Sequence, residues 1–112
     1  MGDDENSVLR LTDMSWPQVR DALDSGVRTA LFAVGSTEQH GPHLPLDTDT
    51  RIAYAVAHAV SERLAGEGTG YDWPIAPPVA YGASGEHQSF AGTISIGTEA
   101  LITLLVEYGR SA

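Results

Sequence analysis

Apolar residues occur in this chain either as short runs or as spaced repeats, and the two patterns predict different elements. Residues 29–34 form a short apolar run between Gly26 and Gly35, which predicts a strand buried on both faces. Residues 75–79 and 93–96 predict two further strands, although two prolines weaken the first of these as an interior strand. The sequence therefore predicts three short strands separated by loops and helices.

Three spaced repeats predict helices. The first begins after Ser15, and Gln18 stands three residues later, as in a capping box. Its apolar face consists of Trp16, Val19 and Leu23. The second covers residues 49–64, where an apolar residue recurs every four positions, at Ile52, Val56, Val60 and Leu64. The third begins at Thr98 as a candidate N-cap, and its apolar side consists of Leu101, Leu104, Leu105 and Tyr108.

The predicted order is helix, strand, loop, helix, strand, loop, strand and helix. This order indicates an α/β fold with a mostly parallel sheet covered by helices on both faces. A length of 112 residues suits one small domain. Three short strands are few for such a sheet, so we expect residues 1–112 to form the N-terminal portion of a larger domain. Residues 1–13 are predicted to be disordered.

Charge and composition exclude several classes of protein. Fifteen acidic residues against six arginines and no lysine give a net charge of -9, which argues against binding to nucleic acid. No apolar run approaches the roughly 18 residues that cross a bilayer, and the acidic N-terminus does not resemble a secretory signal. We therefore expect a cytoplasmic protein without a membrane partner. Cysteine is absent, so any metal must be held by oxygen and imidazole nitrogen.

The loop from Gly35 to Asp49 carries the residues that are best suited to chemistry. It follows the first predicted strand, and ligands of open α/β sheets bind at the carboxyl ends of strands. Glu38 and His40 are two positions apart, so their side chains point the same way in an extended segment. Asp49 can return to them if the proline-containing turns fold the loop back. These oxygen and nitrogen ligands suit Zn²⁺, Mn²⁺ or Fe²⁺.

Three other residues are candidates for the same site. His43 is a candidate for a spare ligand or for a hydrogen-bond donor that orients a ligand. Glu86 and His87 lie in a glycine-rich loop after the second predicted strand and are candidates for substrate binding. Simpler interpretations stay open at this point. The acids before the second helix can cap it, the other site residues can be ordinary loop residues, and His58 is expected to be solvated.

Residues 34–50, with the sequence VGSTEQHGPHLPLDTDT, resemble the signature of the creatininase family of metal-dependent amidohydrolases. Residues 81–101 and 104–112 resemble the members of this family that act in mycofactocin biosynthesis. The resemblance implies a three-layer α/β/α sandwich and a centre of two divalent ions, which are zinc, iron or manganese. It also implies that Glu38 binds one ion, that His40 binds the other, and that Asp49 bridges both.

The same resemblance implies a function and its partners. A metal-activated water would remove a C-terminal Val-Tyr dipeptide from the modified mycofactocin precursor peptide, in a ring-like homo-oligomer such as a hexamer. Family members carry further ligands and catalytic residues in a later part, so this chain is expected to need a C-terminal half and to contain no catalytic acid or base. The alternatives are hydrolysis of a small cyclic or formyl amide and a non-catalytic binding module.

Overall fold

The computed structural model describes residues 8–66 and 73–112. Over these residues it contains three α-helices: α1 (Trp16–Asp24), α2 (Thr48–Gly66) and α3 (Thr98–Ser111). Two short 3-10 turns, Leu11–Asp13 and Gly85–His87, complete the helical elements of the described residues. The three predicted helices are thus confirmed. None of the described helices combines the length and the apolar content that crossing a membrane requires.

Local capping explains where the helices begin. The N–H of Ser15 donates to Oε1 of Gln18 at 2.8 Å, so this half of the predicted capping box holds the start of α1. At α3, the N-cap is Gly97 and not Thr98, which is the first helical residue. This prediction was wrong by one position, because glycine also serves as an N-cap and threonine was the stronger signal in the sequence.

Backbone pairing is limited to isolated bridges among the described residues, whereas the sequence predicted three short strands. Four bridges are parallel, and they join Arg10 with Ile75, Leu31 with Ile75, Val34 with Val79, and Gly82 with Ser95. The fifth, between Thr37 and Ile94, is antiparallel. Pro77 and Pro78 interrupt the second predicted strand and Pro74 precedes it, and proline has no N–H to donate to a ladder. Mostly parallel pairing agrees with the prediction, but regular strands do not form.

The chain divides into two compact units, of which the first comprises Met1–Ala33 and Tyr54–Pro78. Its described part is organised around Ile75, which is 2% exposed. The N–H of Ile75 donates to the carbonyl of Leu9, and its carbonyl accepts from the N–H of Leu11. Val8 is also buried. Leu9 and Leu11 thus pair with Ile75; disorder over residues 1–13 stays a prediction, and residues 1–7 lie outside the described residues.

The second unit comprises Val34–Ala53 and Val79–Ala112 and holds the candidate site. Backbone hydrogen bonds join its two segments: the N–H of Gly35 donates to Val79 at 2.7 Å, and the N–H of Ile94 donates to Thr37 at 2.9 Å. These bonds fix the loop that follows Val34 against the segment that carries the later glycine-rich loop.

Burial differs from the sequence pattern in two places. The run 29–34 was predicted to be buried on both faces, but Phe32 and Val34 are 39% and 44% exposed while Ala33 is buried. Successive side chains of an extended segment point to opposite sides, and the described residues cover only one side here. In α2, the predicted apolar stripe is likewise exposed, with Ile52 at 58% and Val56 at 59%. Periodicity thus predicted the helix correctly, and the described residues leave most of its apolar stripe exposed.

Gly35 permits the closest approach in the second unit. A Cβ on Gly35 would meet the backbone and the hydroxyl of Thr50 within van der Waals radii. Thr50 lies in the first turn of α2, and its hydroxyl exchanges hydrogen bonds of 3.1 Å with the N–H and the carbonyl of Ser36. Only glycine lets the loop reach the start of α2 at this distance.

Gly35→Ala is expected to lower the free energy of unfolding by about 1–3 kcal/mol, because the added methyl group must displace Thr50. Gly109→Ala is the matched control: Gly109 lies inside α3 with open space around its Cα, so alanine should raise stability by about 0.5–1 kcal/mol through helix propensity. Urea denaturation measures both changes. Equal stabilities of the two variants would contradict this role of Gly35.

Candidate metal centre

Three side chains that the sequence singled out come together in the second unit. Glu38, His40 and Asp49 each offer one potential ligand atom, and these atoms all lie within 4.8 Å of one another. His40 Nε2 and Asp49 Oδ1 are 3.2 Å apart. All three residues are half-buried. Two carboxylates and one imidazole form a donor set that suits Zn²⁺, Mn²⁺ or Fe²⁺.

The loop that carries Glu38 is held on both sides. The hydroxyl of Thr37 donates to the carbonyl of Ala80 at 2.8 Å, and the N–H of Gln39 donates to the hydroxyl of Thr93 at 3.1 Å. Both partners belong to the segment that follows Val79 in the second unit. The backbone before and after Glu38 is therefore fixed by residues far along the chain, which sets the direction of this side chain.

Each oxygen of the Glu38 carboxylate contacts a different side chain. The Ser84 hydroxyl donates to Oε1 at 2.7 Å, and His87 Nε2 lies 3.2 Å from Oε2. Ser84 is 1% exposed, and its N–H donates to the hydroxyl of Ser95 at 2.8 Å. A carboxylate oxygen has two lone pairs, so each oxygen keeps one for a metal ion.

Asp49 occupies the first turn of α2, and its carboxylate faces the loop. Oδ2 accepts from the hydroxyl of Ser36 at 2.7 Å, and Oδ1 faces His40. The neighbouring acid Asp47 has a different role, because its carboxylate contacts Nε of Arg51 at 2.8 Å. The structure thus places Asp49 within the ligand group, and it places Asp47 in an ion pair along the helix.

His40 has a defined tautomer in this arrangement. Its Nδ1 lies 3.2 Å from the backbone carbonyl of Glu38, and a carbonyl only accepts hydrogen bonds, so Nδ1 carries the hydrogen. Nε2 then faces Asp49. The hydrogen bond to the Glu38 carbonyl raises the pKa of His40 above 6.5; desolvation opposes this effect and the charge of Asp49 adds to it. A proton and a divalent ion would therefore compete for Nε2.

The later glycine-rich loop also reaches this site. A second group of potential ligands consists of Glu38, Glu86 and His87, again with donor atoms within 4.8 Å of one another. Glu86 is 68% exposed at its side chain, and its Oε1 lies 3.8 Å from His87 Nε2. The structure places His87 against the carboxylate of Glu38. Substrate binding by Glu86 and His87 stays a prediction.

Two other histidines lie apart from the three candidate ligands. His43 is exposed, and neither group of potential ligands found among the described residues includes it. His58, in the first unit, is half-buried and lies 3.4 Å from Glu62, so the expectation that it is solvated was wrong. Sequence reasoning missed Ser36 and Ser84, because serine is common in loops and only the fold shows which hydroxyls meet a carboxylate.

Comparison with known proteins identifies the family. The family model for creatinine amidohydrolase, Creatininase, matches residues 12–112. The mycofactocin precursor peptide peptidase of Mycobacterium ulcerans (strain Agy99) is 71% identical over 92 residues, which cover 80% of this chain and 37% of that protein. That of Mycobacterium tuberculosis (strain CDC 1551 / Oshkosh) is 66% identical over 93 residues, with the same two shares.

A solved structure supports the same assignment at the level of the fold. A mutant creatininase of the Zn-Zn type matches with a TM-score of 0.76 and 24% identity, over 93% of this chain and 40% of that one. The chain belongs to the creatininase family. It spans 37% of the length of the two curated relatives described above.

In the metal-free chain, the pKa of His40 is expected to lie above 6.5, because the Glu38 carbonyl and Asp49 both favour the protonated ring. A pKa that is raised by folding contributes stability fully below the unfolded value, and this contribution is lost as pH rises through the folded value. NMR titration of the His40 ring measures this pKa. Asp49→Asn should lower the pKa but leave the backbone hydrogen bond. A value at or below 6.5 in the unaltered chain would contradict this geometry.

Proposed function

We propose that this chain supplies the first ligands of a dinuclear metal centre, in which Glu38 binds one ion, His40 binds the other and Asp49 bridges both. The observation that carries the proposal is the convergence of their donor atoms within 4.8 Å. The contact of His40 Nδ1 with the Glu38 carbonyl supports it, because it leaves Nε2, which faces Asp49, as the ring nitrogen on which an ion can replace a proton. Two divalent ions, of zinc, manganese or iron, would polarise an amide carbonyl and lower the pKa of a water molecule.

The surrounding residues prepare this site before any ion arrives. Ser84 and His87 hold the two oxygens of Glu38, and Ser36 holds one oxygen of Asp49. Such hydrogen bonds orient ligands and reduce the cost of ordering them on metal binding. We propose that the loop lies at one end of the sheet of a three-layer α/β/α sandwich, which the parallel bridges and the similarity to creatininase support.

We infer a peptide substrate from the two relatives that are 66% and 71% identical, both named mycofactocin precursor peptide peptidase. The proposed reaction is hydrolysis that removes a C-terminal Val-Tyr dipeptide from the modified precursor peptide. Each zinc ion takes four ligands in most sites, so three protein ligands are too few for two ions. The remaining ligands and the catalytic acid or base are proposed to come from a C-terminal half of the same protein, within a cytoplasmic homo-oligomer such as a hexamer.

A second candidate function is hydrolysis of a small cyclic amide. The observation that favours it is the family model that matches residues 12–112, whose description is creatinine amidohydrolase. The ligand group is compatible with either substrate, because metal ions polarise the carbonyl of a peptide and of a cyclic amide alike. Substrate assays must therefore separate the two functions.

Glu38→Ala, His40→Ala and Asp49→Ala are each expected to weaken metal binding by at least about tenfold, since each removes a ligand and not merely a residue that orients one. His58→Ala is the control, because His58 lies in the first unit beside Glu62. Equilibrium dialysis with Zn²⁺ or Mn²⁺, followed by elemental analysis, measures the affinity. Unchanged affinity in the Asp49→Ala chain would refute the bridging assignment.

The chain combined with its proposed C-terminal half is expected to release Val-Tyr from the modified precursor peptide, and the chain alone is expected to release none. Mass spectrometry of the products measures the dipeptide, and the same preparation incubated with creatinine tests the second function. The Asp49→Ala variant serves as the inactive control. Conversion of creatinine without dipeptide release would favour the small-amide function over the peptidase.

A further inference from the structure

We propose that His87 is a positioning residue, which holds the carboxylate of Glu38 by donating a hydrogen bond from Nε2 and does not itself bind metal. This inference rests on the proposed function, because it takes Glu38 as a metal ligand. It goes beyond that proposal by giving different roles to His40 and His87, although each belongs to a group of potential ligands. A chain of three hydrogen bonds determines the state of the His87 ring.

The first of these hydrogen bonds is donated by the backbone N–H of Gly41 to Oε1 of Gln39 at 2.9 Å. A backbone N–H only donates, so this contact identifies the amide oxygen of Gln39 and directs its amide nitrogen elsewhere. That nitrogen lies 2.9 Å from Nδ1 of His87. An amide nitrogen also only donates, so Nδ1 of His87 must be the unprotonated acceptor. The hydrogen of the neutral ring therefore lies on Nε2, which is 3.2 Å from Oε2 of Glu38.

The ring of His87 consequently has no lone pair to offer. Nδ1 accepts from Gln39, and Nε2 carries a hydrogen that points to Glu38. His40 is the opposite case, because its Nδ1 donates to the Glu38 carbonyl and its Nε2 is left as a ligand. The two rings near Glu38 thus adopt different tautomers, and only that of His40 suits a metal ion.

The contact with His87 completes the fixation of Glu38. Ser84 already donates to Oε1, so the second donor on Oε2 prevents rotation of the carboxylate. The Glu38 side chain is 15% exposed, and hydrogen bonds to a carboxylate strengthen when water is partly excluded. Partners that orient a metal ligand in this way typically contribute about 10- to 100-fold to metal affinity.

Two substitutions separate a positioning residue from a ligand. His87→Ala should weaken zinc binding by about 10- to 100-fold, as for other partners that orient ligands. His87→Gln should restore most of this loss, because its amide nitrogen donates from nearly the same place as Nε2 but glutamine is a poor zinc ligand. Glu107→Gln is the control and should leave affinity unchanged, because Glu107 is 67% exposed, pairs with Arg110 in α3 and belongs to neither group of potential ligands. Competition with a chelator measures these affinities, and loss of affinity in His87→Gln as large as in His87→Ala would overturn the proposal.

NMR of the ring nitrogens provides a readout that does not depend on activity. In the metal-free chain, His87 should show hydrogen on Nε2 alone, and this hydrogen should exchange faster in Glu38→Ala. Addition of zinc should shift Nε2 of His40 and leave the Nε2 hydrogen of His87 in place. Zinc binding with loss of that hydrogen would overturn the inference about His87, whereas no response from either histidine would overturn the metal assignment itself.

Discussion

The candidate site depends on one steric constraint, the close approach of Gly35 to Thr50. Because Gly35 has no Cβ, the loop can lie against the first turn of α2, where the hydroxyl of Thr50 bonds to the backbone of Ser36. The same approach brings the Ser36 hydroxyl to Asp49 at 2.7 Å. A larger residue at position 35 would separate the loop from the helix, and the carboxylate of Asp49 would lose its place beside His40.

Charge is the second constraint on this site, because the group contains two carboxylates with donor atoms within 4.8 Å. Like charges at this distance repel, and the repulsion is reduced by hydrogen bonds, by a protonated imidazole or by a bound cation. The structure already provides hydroxyl donors on both carboxylates, and the pKa of His40 is raised. A divalent ion would replace the proton of His40 and neutralise both acids together, so the geometry favours metal binding on electrostatic grounds.

The polar residues divide into those that face the proposed ions and those that hold them. Glu38, His40 and Asp49 direct donor atoms toward one another, while Ser36, Ser84 and His87 occupy the remaining positions on the carboxylates. The holding residues come from the segment after Val79 and from the loop itself, so both parts of the second unit contribute. The family match over residues 12–112 includes all of these residues.

The sequence alone determined the local features. Periodicity predicted the three helices, because a repeat of about four residues depends only on neighbours along the chain. The spacing of Glu38 and His40 and the helix start at Asp49 also indicated the group of candidate ligands. The resemblance over residues 34–50 indicated the family that the comparison then showed. These features are encoded within short segments, so no knowledge of the folded chain was needed.

Only the tertiary structure decided which hydroxyls and which histidine contact the candidate ligands. The contacts of Glu38 with Ser84 and His87 join residues more than 40 positions apart, and no local pattern specifies such a pair. Tertiary contacts also decided burial: they bury Val8 and leave Ile52 and Phe32 exposed. A hydrophobic pattern shows that a face is apolar, but only the packed chain determines what covers it.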